Sequence, residues 1–233
     1  EPEAMAQAVQ SPYLKKFDII DINMGCPVNK VVKNGEGSAL MQNLPLASKI
    51  ITAVKQAAGT KPVTVKFRLG WDKNNKNYID FGKMCQDSGA DAIALHARTR
   101  ADMYSGQADI SAWEQLKNAV SIPVIANGDL RDRQACQQAL EVVDGVMIGR
   151  GALGNPQVFA EVLDKSDILC PIEAVILHIE VLLRHFEPKR VAINFRKHAH
   201  HYLKGAKNSR EIKDKINQTD DIDLVIELLK SAL

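Results

Sequence analysis

No apolar run in the sequence approaches the roughly 20 residues that a membrane crossing requires, and the opening Glu1-Pro2-Glu3 is nothing like a signal peptide. Cysteine is scarce. Cys26, Cys85, Cys136 and Cys170 lie far apart and form no C-x-x-C pair, a pattern that suggests neither a zinc site nor a disulfide framework and reads as that of a reducing cytoplasm. There is no internal repeat or low-complexity tract, and the net charge is only +2. That small total hides an uneven distribution. Between Arg184 and Lys215 there are ten Lys or Arg against three Asp or Glu, and four of the six histidines (His185, His198, His200, His201) fall in the same stretch. A basic segment on an otherwise acidic chain suggests a polyanionic partner, although charge runs on helices are more often solvated faces.

What is present is alternation. Short β-branched apolar runs at Asp18–Ile22, Val63–Phe67, Ala92–Leu95, Pro123–Ala126 and Gly145–Ile148 are each followed by an amphipathic helical pattern, near Ser38–Ala58, Tyr78–Ser88, Ile110–Ala119 and Arg131–Leu140. Runs such as Pro-Val-Thr-Val-Lys-Phe read as apolar on both faces, as buried parallel strands are. Polar residues stand at the C-terminal end of every strand: Asn23 to Cys26, Lys66 and Arg68, His96 to Arg98, Asn127 to Asp129, and Gly149-Arg150. A site drawn from every strand end is the habit of the (β/α)8 TIM barrel, whereas an open doubly wound sheet concentrates its site at one switch point. The fold class expected is therefore α/β, a TIM barrel. Only five strands are legible where a barrel has eight, and Glu1–Gln10 reads as a helix with no strand before it. The expectation is a barrel truncated at its N-terminus to about the last five strands. After the Gly154-Asn155-Pro156 break only helical periodicity remains, near Ile172–His185, Val191–Leu203, Arg210–Ile216 and Asp221–Leu233. The chain thus divides into a partial barrel over 1–158 and a small all-α domain over 159–233.

Asn23-Met24-Gly25-Cys26-Pro27 follows directly on a strand, with Gly25 permitting a tight turn and Pro27 fixing its exit. This frame would hold the Cys26 thiol over the barrel mouth, although most free cysteines are small buried apolar residues. Lys66 and Arg68 share one strand face by the period of two. Two inward cations need an anion, an electron-rich ligand or a structural ion pair to meet them. His96 at a strand end is a reasonable ligand contact. The glycine turns Asn127-Gly128-Asp129 and Gly149-Arg150-Gly151 close the last two strands, where many barrels bind phosphate.

Seven ordered motifs carry a resemblance to a known family. They are Asp21-Ile22-Asn23-Met24-Gly25-Cys26-Pro27, Gly37-Ser38-Ala39-Leu40, Val65 to Trp71, His96-Ala97-Arg98-Thr99-Arg100, Met103-Tyr104-Ser105-Gly106, Pro123 to Asp129, and Gly145 to Pro156. Together they resemble the signatures of bacterial tRNA-dihydrouridine synthases, most of all the DusB-like branch, and Phe195-Arg196-Lys197-His198 with Tyr202-Leu203-Lys204-Gly205 adds a weaker match. The resemblance implies an enzyme that reduces uridine in tRNA with FMN, using NADPH as reductant. By it, Cys26 is the catalytic acid and Lys66 contacts the flavin ring. His96 and Asn23 line the flavin or base pocket, and Asn127, Gly128, Asp129, Gly149 and Arg150 hold the ribityl phosphate. Arg98, Arg196, Lys197 and His198 contact tRNA; no metal and no membrane are implied. The family's Ala-Pro-Met turn and its third-strand Gln have no counterpart here, so these 233 residues alone are expected to hold FMN weakly or not at all. Two alternatives remain at this point. One is an FMN barrel acting on a free pyrimidine, of the dihydroorotate or dihydropyrimidine dehydrogenase kind; the other is an inert fragment that only binds tRNA. The basic helical segment counts against the first.

Overall fold

The computed structural model describes all residues, 1–233. The chain divides into two compact units, one made of Glu1–Leu130 and Ala135–Ile148, the other of Arg131–Gln134 and Gly149–Leu233.

In the first unit, α1 (Pro2–Val9) precedes β1 (Ile20–Asn23), and a short α2 (Asn29–Val32) leads to a 3-10 turn over Gly37–Gln42 and then α3 (Leu44–Ala58). The helical pattern expected to run unbroken over 38–58 is thus divided. Pro45 in the first turn of α3 cannot donate into a preceding helix, and the Asn43 side chain caps α3 by accepting from Leu46 N at 3.1 Å. Next come β2 (Val63–Arg68), a hairpin of β3 (Gly70–Asp72) and β4 (Asn75–Lys76) that the periodicity did not reveal, and α4 (Tyr78–Asp87). The unit closes with β5 (Ala92–His96), α5 (Ser111–Ala119), β6 (Val124–Asn127), α6 (Arg133–Leu140, whose first two residues group with the second unit) and β7 (Gly145–Met147).

The main sheet is parallel and five-stranded in the order β1-β2-β5-β6-β7. Each strand lies beside the one before it in the chain, so the order never reverses and there is no switch point of the doubly wound kind. This is barrel progression. The five expected strands are the five observed, displaced by at most two residues at either end. One expectation needs correcting for β2 and β6, though not for β5, whose residues 93–96 are all buried: these two strands are not sealed on both faces. Val63, Val65 and Phe67 of β2 are fully buried, while Thr64 and Lys66 on the opposite face are half-buried, and Val124 and Ala126 of β6 alternate likewise with Ile125 and Asn127. One face is sealed by Ile50, Ile51, Val54, Phe81, Trp113 and Leu116 of the helices. The other belongs to five strands that do not close on themselves, so it is only partly covered. That second face carries the polar residues.

In the second unit, α7 (Val158–Val162) is followed by α8 (Pro171–Leu183), α9 (Pro188–Tyr202), α10 (Ser209–Gln218) and α11 (Ile222–Lys230), the last four close to the four expected helices. Their core joins Val175, Ile179, Phe195, Tyr202, Ile216, Val225 and Leu229. Phe195 stacks on Tyr202 at 6.2 Å between centroids and meets His178 edge-on at 5.1 Å. Truncating a buried aromatic removes its transfer energy and leaves a cavity. Phe195→Ala should therefore lower the stability of the helical unit by about 3–5 kcal/mol, read as a lower urea midpoint of the full chain by far-ultraviolet circular dichroism.

Candidate active site

The parallel register lines up the polar strand ends. Asn23 lies beside Lys66, Arg68 beside His96, His96 beside Asn127, and Asn127 beside Met147. Side chains of directly paired parallel residues project to the same face, so Asn23, Lys66, Arg68, His96 and Asn127 share the C-terminal rim of the partly covered face.

The loop after β1 is fixed from three sides. The Asn23 Oδ1 accepts from Gly25 N at 3.0 Å and from Cys26 N at 3.1 Å, which folds the chain back on itself at once. The Cys26 carbonyl accepts from Ser38 N at 3.0 Å and Ser38 Oγ at 2.9 Å. The Gly25 carbonyl accepts from Arg68 Nε at 2.9 Å. Two glycines permit these approaches. A Cβ on Gly25 would stand 3.2 Å from the backbone of Phe67; one on Gly37, which has φ +58°, would stand 2.8 Å from the Cys26 carbonyl oxygen. Cys26 itself is half-buried, its thiol neither sealed in a core nor on an open surface. Asn23, expected to touch substrate, thus commits its carbonyl oxygen to the loop.

Lys66 and Arg68 share a face as expected, but they differ in kind. Arg68 is 2% exposed and donates through Nη1 to the carbonyls of Thr99 (2.9 Å) and Met103 (2.8 Å) as well as through Nε to Gly25. The Tyr104 ring lies 5.6 Å from its guanidinium carbon. Backbone oxygens meet this cation. Lys66 makes no ion pair. Burial first, then the Arg68 charge, pull its ammonium down to about 8. The Asp21 carboxylate opposes this only in part, and a half-buried amine with no direct ion pair suits an electron-rich ring set against it.

Arg98, expected on tRNA, is 2% exposed. It donates to Ser105 O (2.9 Å), Gly106 O (2.7 Å) and Asp129 Oδ2 (2.6 Å), while Asp129 also accepts from Ala108 N at 2.9 Å. Burial and these bonds make Arg98 a scaffold for residues 105–108 rather than a surface contact. They also commit one oxygen of Asp129, a carboxylate that would in any case repel a phosphate. Asn127 Nδ2 donates to Met147 O at 2.8 Å, tying β6 to β7. Gly128, at φ +120°, lies so close to His96 that a Cβ would stand 3.1 Å from the imidazole Cδ2. The glycine there is needed for the histidine to be where it is. Gly149 and Arg150 are exposed and open the second unit.

The three residues of the weaker motif do not share a surface. Arg196 Nη2 donates to Thr219 O at 2.9 Å, and His198 packs against His178 (4.9 Å) and Phe195 (5.8 Å) in the ring cluster. Burial, then the nearby His178, Lys197 and His201, hold the His198 imidazole below the usual range. Only Lys197 is exposed. It lies in a row with Arg190, Asn194, His201 and, just past the helix, Lys204, all exposed and spaced by three or four residues. Other basic residues of the segment are occupied, Lys189 with Asp220 at 2.8 Å and Lys215 with Glu211 at 2.7 Å.

The family model described as dihydrouridine synthase (Dus) matches residues 1–232. The chain belongs to the dihydrouridine synthase family. It is 38% identical over 241 residues to tRNA-dihydrouridine synthase B of Vibrio parahaemolyticus, covering 99% of this chain and 74% of that one. To tRNA-dihydrouridine synthase B of Shewanella oneidensis it is 44% identical over 190 residues, 79% of this chain and 58% of that one. Among solved structures, an old yellow enzyme homologue from Zymomonas mobilis superposes with a TM-score of 0.50 at 15% identity, over 72% of this chain and 52% of that one. At that identity the likeness concerns the fold alone, and it agrees with the barrel progression of the sheet. For a dihydrouridine synthase the sequence motifs found the strand ends. The carbonyl clamp of Arg68, the Ser38 anchor and the Gly37 approach went unassigned, although each residue lay inside a recognised motif. No helix of the chain is long and apolar enough to cross a membrane, and no group of three or more His, Cys, Asp or Glu could hold a metal ion.

The depressed Lys66 has a consequence for stability. With a folded value near 8 against an ordinary 10.5, the unfolded chain binds the proton more tightly, so the cost of holding charged Lys66 is full below about pH 8 and is relieved as pH rises toward 10.5. Lys66→Met should therefore be more stable than the parent at pH 7, with the difference shrinking between pH 8 and 10, as urea unfolding at several pH values would record.

Proposed function

We propose that this chain reduces uridine in tRNA to 5,6-dihydrouridine, with Cys26 as the proton donor to C5. The observation that carries the reading is the Cys26 loop itself. A half-buried thiol is held by Asn23, Ser38 and Arg68 at the rim where Lys66, His96 and Asn127 also end. A thiol carries a transferable proton and is among the side chains that serve as general acids.

The site's residues suit FMN. Lys66 is a cation with no ion-pair partner, mostly charged at pH 7, to set against the electron-rich edge of the ring. The backbone turn at Gly128 lies directly against the imidazole of His96, where a Cβ would crowd the ring. Asn127 and Gly128 are the groups of this rim that the family likeness assigns to the ribityl phosphate. When bound, FMN supplies the hydride for C6 and is itself replenished by NADPH. The chain's own part is to hold the base against that ring and to deliver the proton from Sγ of Cys26. Asn23 orients the acid by fixing the Gly25 and Cys26 amides. Uracil must leave the tRNA stack to reach such a rim, and the Arg190–Lys197–Lys204 row supplies cations for the phosphate backbone.

With FMN added to saturation, Cys26→Ala should leave flavin reduction by NADPH nearly intact while slowing dihydrouridine formation by about 10²-fold or more, the range of general-acid contributions. An equal fall in both half-reactions would remove Cys26 from the proton step. The tRNA surface is tested separately. Lys197→Ala should weaken tRNA binding and flatten the slope of log affinity against log salt by about 0.7–0.9, the change for one phosphate no longer neutralised. Arg196→Ala, which loses only its bond to the Thr219 carbonyl, should lower stability and leave that slope alone.

A further inference from the structure

The proton donor of the proposed reaction lies on one loop, and the exposed Met103 and Tyr104 lie on another, the segment 99–106 after β5. One buried side chain joins the two. The Arg68 guanidinium bonds the Gly25 carbonyl, one residue before Cys26, and the Thr99 and Met103 carbonyls at the start and middle of the second loop. We propose that Arg68 is a positioning residue that sets the Cys26 thiol relative to the 99–106 loop, acting through the Gly25 carbonyl without touching substrate.

Three observations support this. First, the geometry uses the planar fork of arginine: Nε and Nη1 point to carbonyls of two different loops, a divergence that one ammonium cannot match. Second, no carboxylate ion-pairs with the buried charge, so the carbonyls are its compensation, and the loops must stay in place to keep it satisfied. Third, both loops are braced internally. Asn23 and Ser38 stiffen the first; Thr99 N and Oγ1 donate to Asp102 Oδ2 at 3.0 and 2.7 Å, and Arg98 holds Ser105 and Gly106 in the second. Two braced loops joined by this buried side chain hold one relative position. Besides it, the Arg100 Nη2 bond to Asn29 Oδ1, at 2.6 Å and three residues beyond Cys26, ties the second loop to the segment after β1, so removing Arg68 frees the Cys26 end of that link.

The inference rests on the proposed role of Cys26, but its test does not depend on turnover. The rate of alkylation of Cys26 by iodoacetamide, followed by mass spectrometry, reports the freedom of its loop. Cys170, exposed at the start of α8, is the internal standard, and Cys85 and Cys136 are buried. Arg68→Lys keeps the charge but cannot span both loops. It should raise Cys26 alkylation relative to Cys170 by about two- to tenfold, the population change expected from losing one such hydrogen bond. Arg68→Met should raise it at least as much; if the Met variant does not fold, the Lys variant decides alone. With FMN saturating, Arg68→Lys should lower kcat for dihydrouridine formation while leaving KM for tRNA and flavin reduction by NADPH near parental values. Unchanged Cys26 alkylation in a folded Arg68→Lys variant would overturn the proposal, as would a rise in KM with kcat intact, which would make Arg68 a substrate contact. If the parent chain forms no dihydrouridine, the functional reading fails while the alkylation result still decides whether Arg68 holds the Cys26 loop.

Discussion

A positive charge buried among backbone carbonyls holds the site of this protein together. Arg68 sits at the end of β2 with its guanidinium out of solvent, and its charge is balanced by oxygens from the β1 and β5 loops. An unsatisfied guanidinium there would cost several kcal/mol, so the loop conformations and the strand end are mutually obligatory. Arg98 repeats the arrangement one strand further along, reaching Ser105, Gly106 and Asp129. Two arginines thus tie the loops after β1, β5 and β6 to one another. Lys66, without such partners on the same face, keeps a charge that burial has weakened, and it is the cation left over for a ligand.

The order of the sheet and the helices between strands could be read in the sequence because buried strands and amphipathic helices leave strong periodic signals. What was not legible has physical reasons. The β3–β4 hairpin is two and three residues per strand, too short for any periodicity. The break before α3 turns on Pro45 and the Asn43 cap, local effects that a hydrophobic pattern does not register. Half-covered strand faces do not show in composition, since Ile125 and Met147 look the same whether a partner covers them or not.

The candidate site was legible in its positions and less so in its roles. Cys26, Lys66, His96 and Asn127 arrive at one rim because the register puts them there. Arg98, Arg196 and His198 were expected on tRNA from the family resemblance of their motifs. Each is instead occupied, by carbonyls and Asp129, by Thr219, and by an aromatic cluster. Residue type shows that a side chain can bind a phosphate; only the fold shows whether another group has already claimed it.

The alternation along β2 links packing and chemistry in a way that bears on how this strand can change over generations. Val63, Val65 and Phe67 seal the helical layer while Lys66 projects from the opposite face. Inserting or deleting a single residue ahead of Lys66 would exchange the two faces, driving an ammonium beneath the helices and lifting Phe67 onto the rim. Replacements at Thr64 alter one half-buried position, but a change of length by one residue destroys core and site together. Length, more than composition, is what this strand must inherit unaltered.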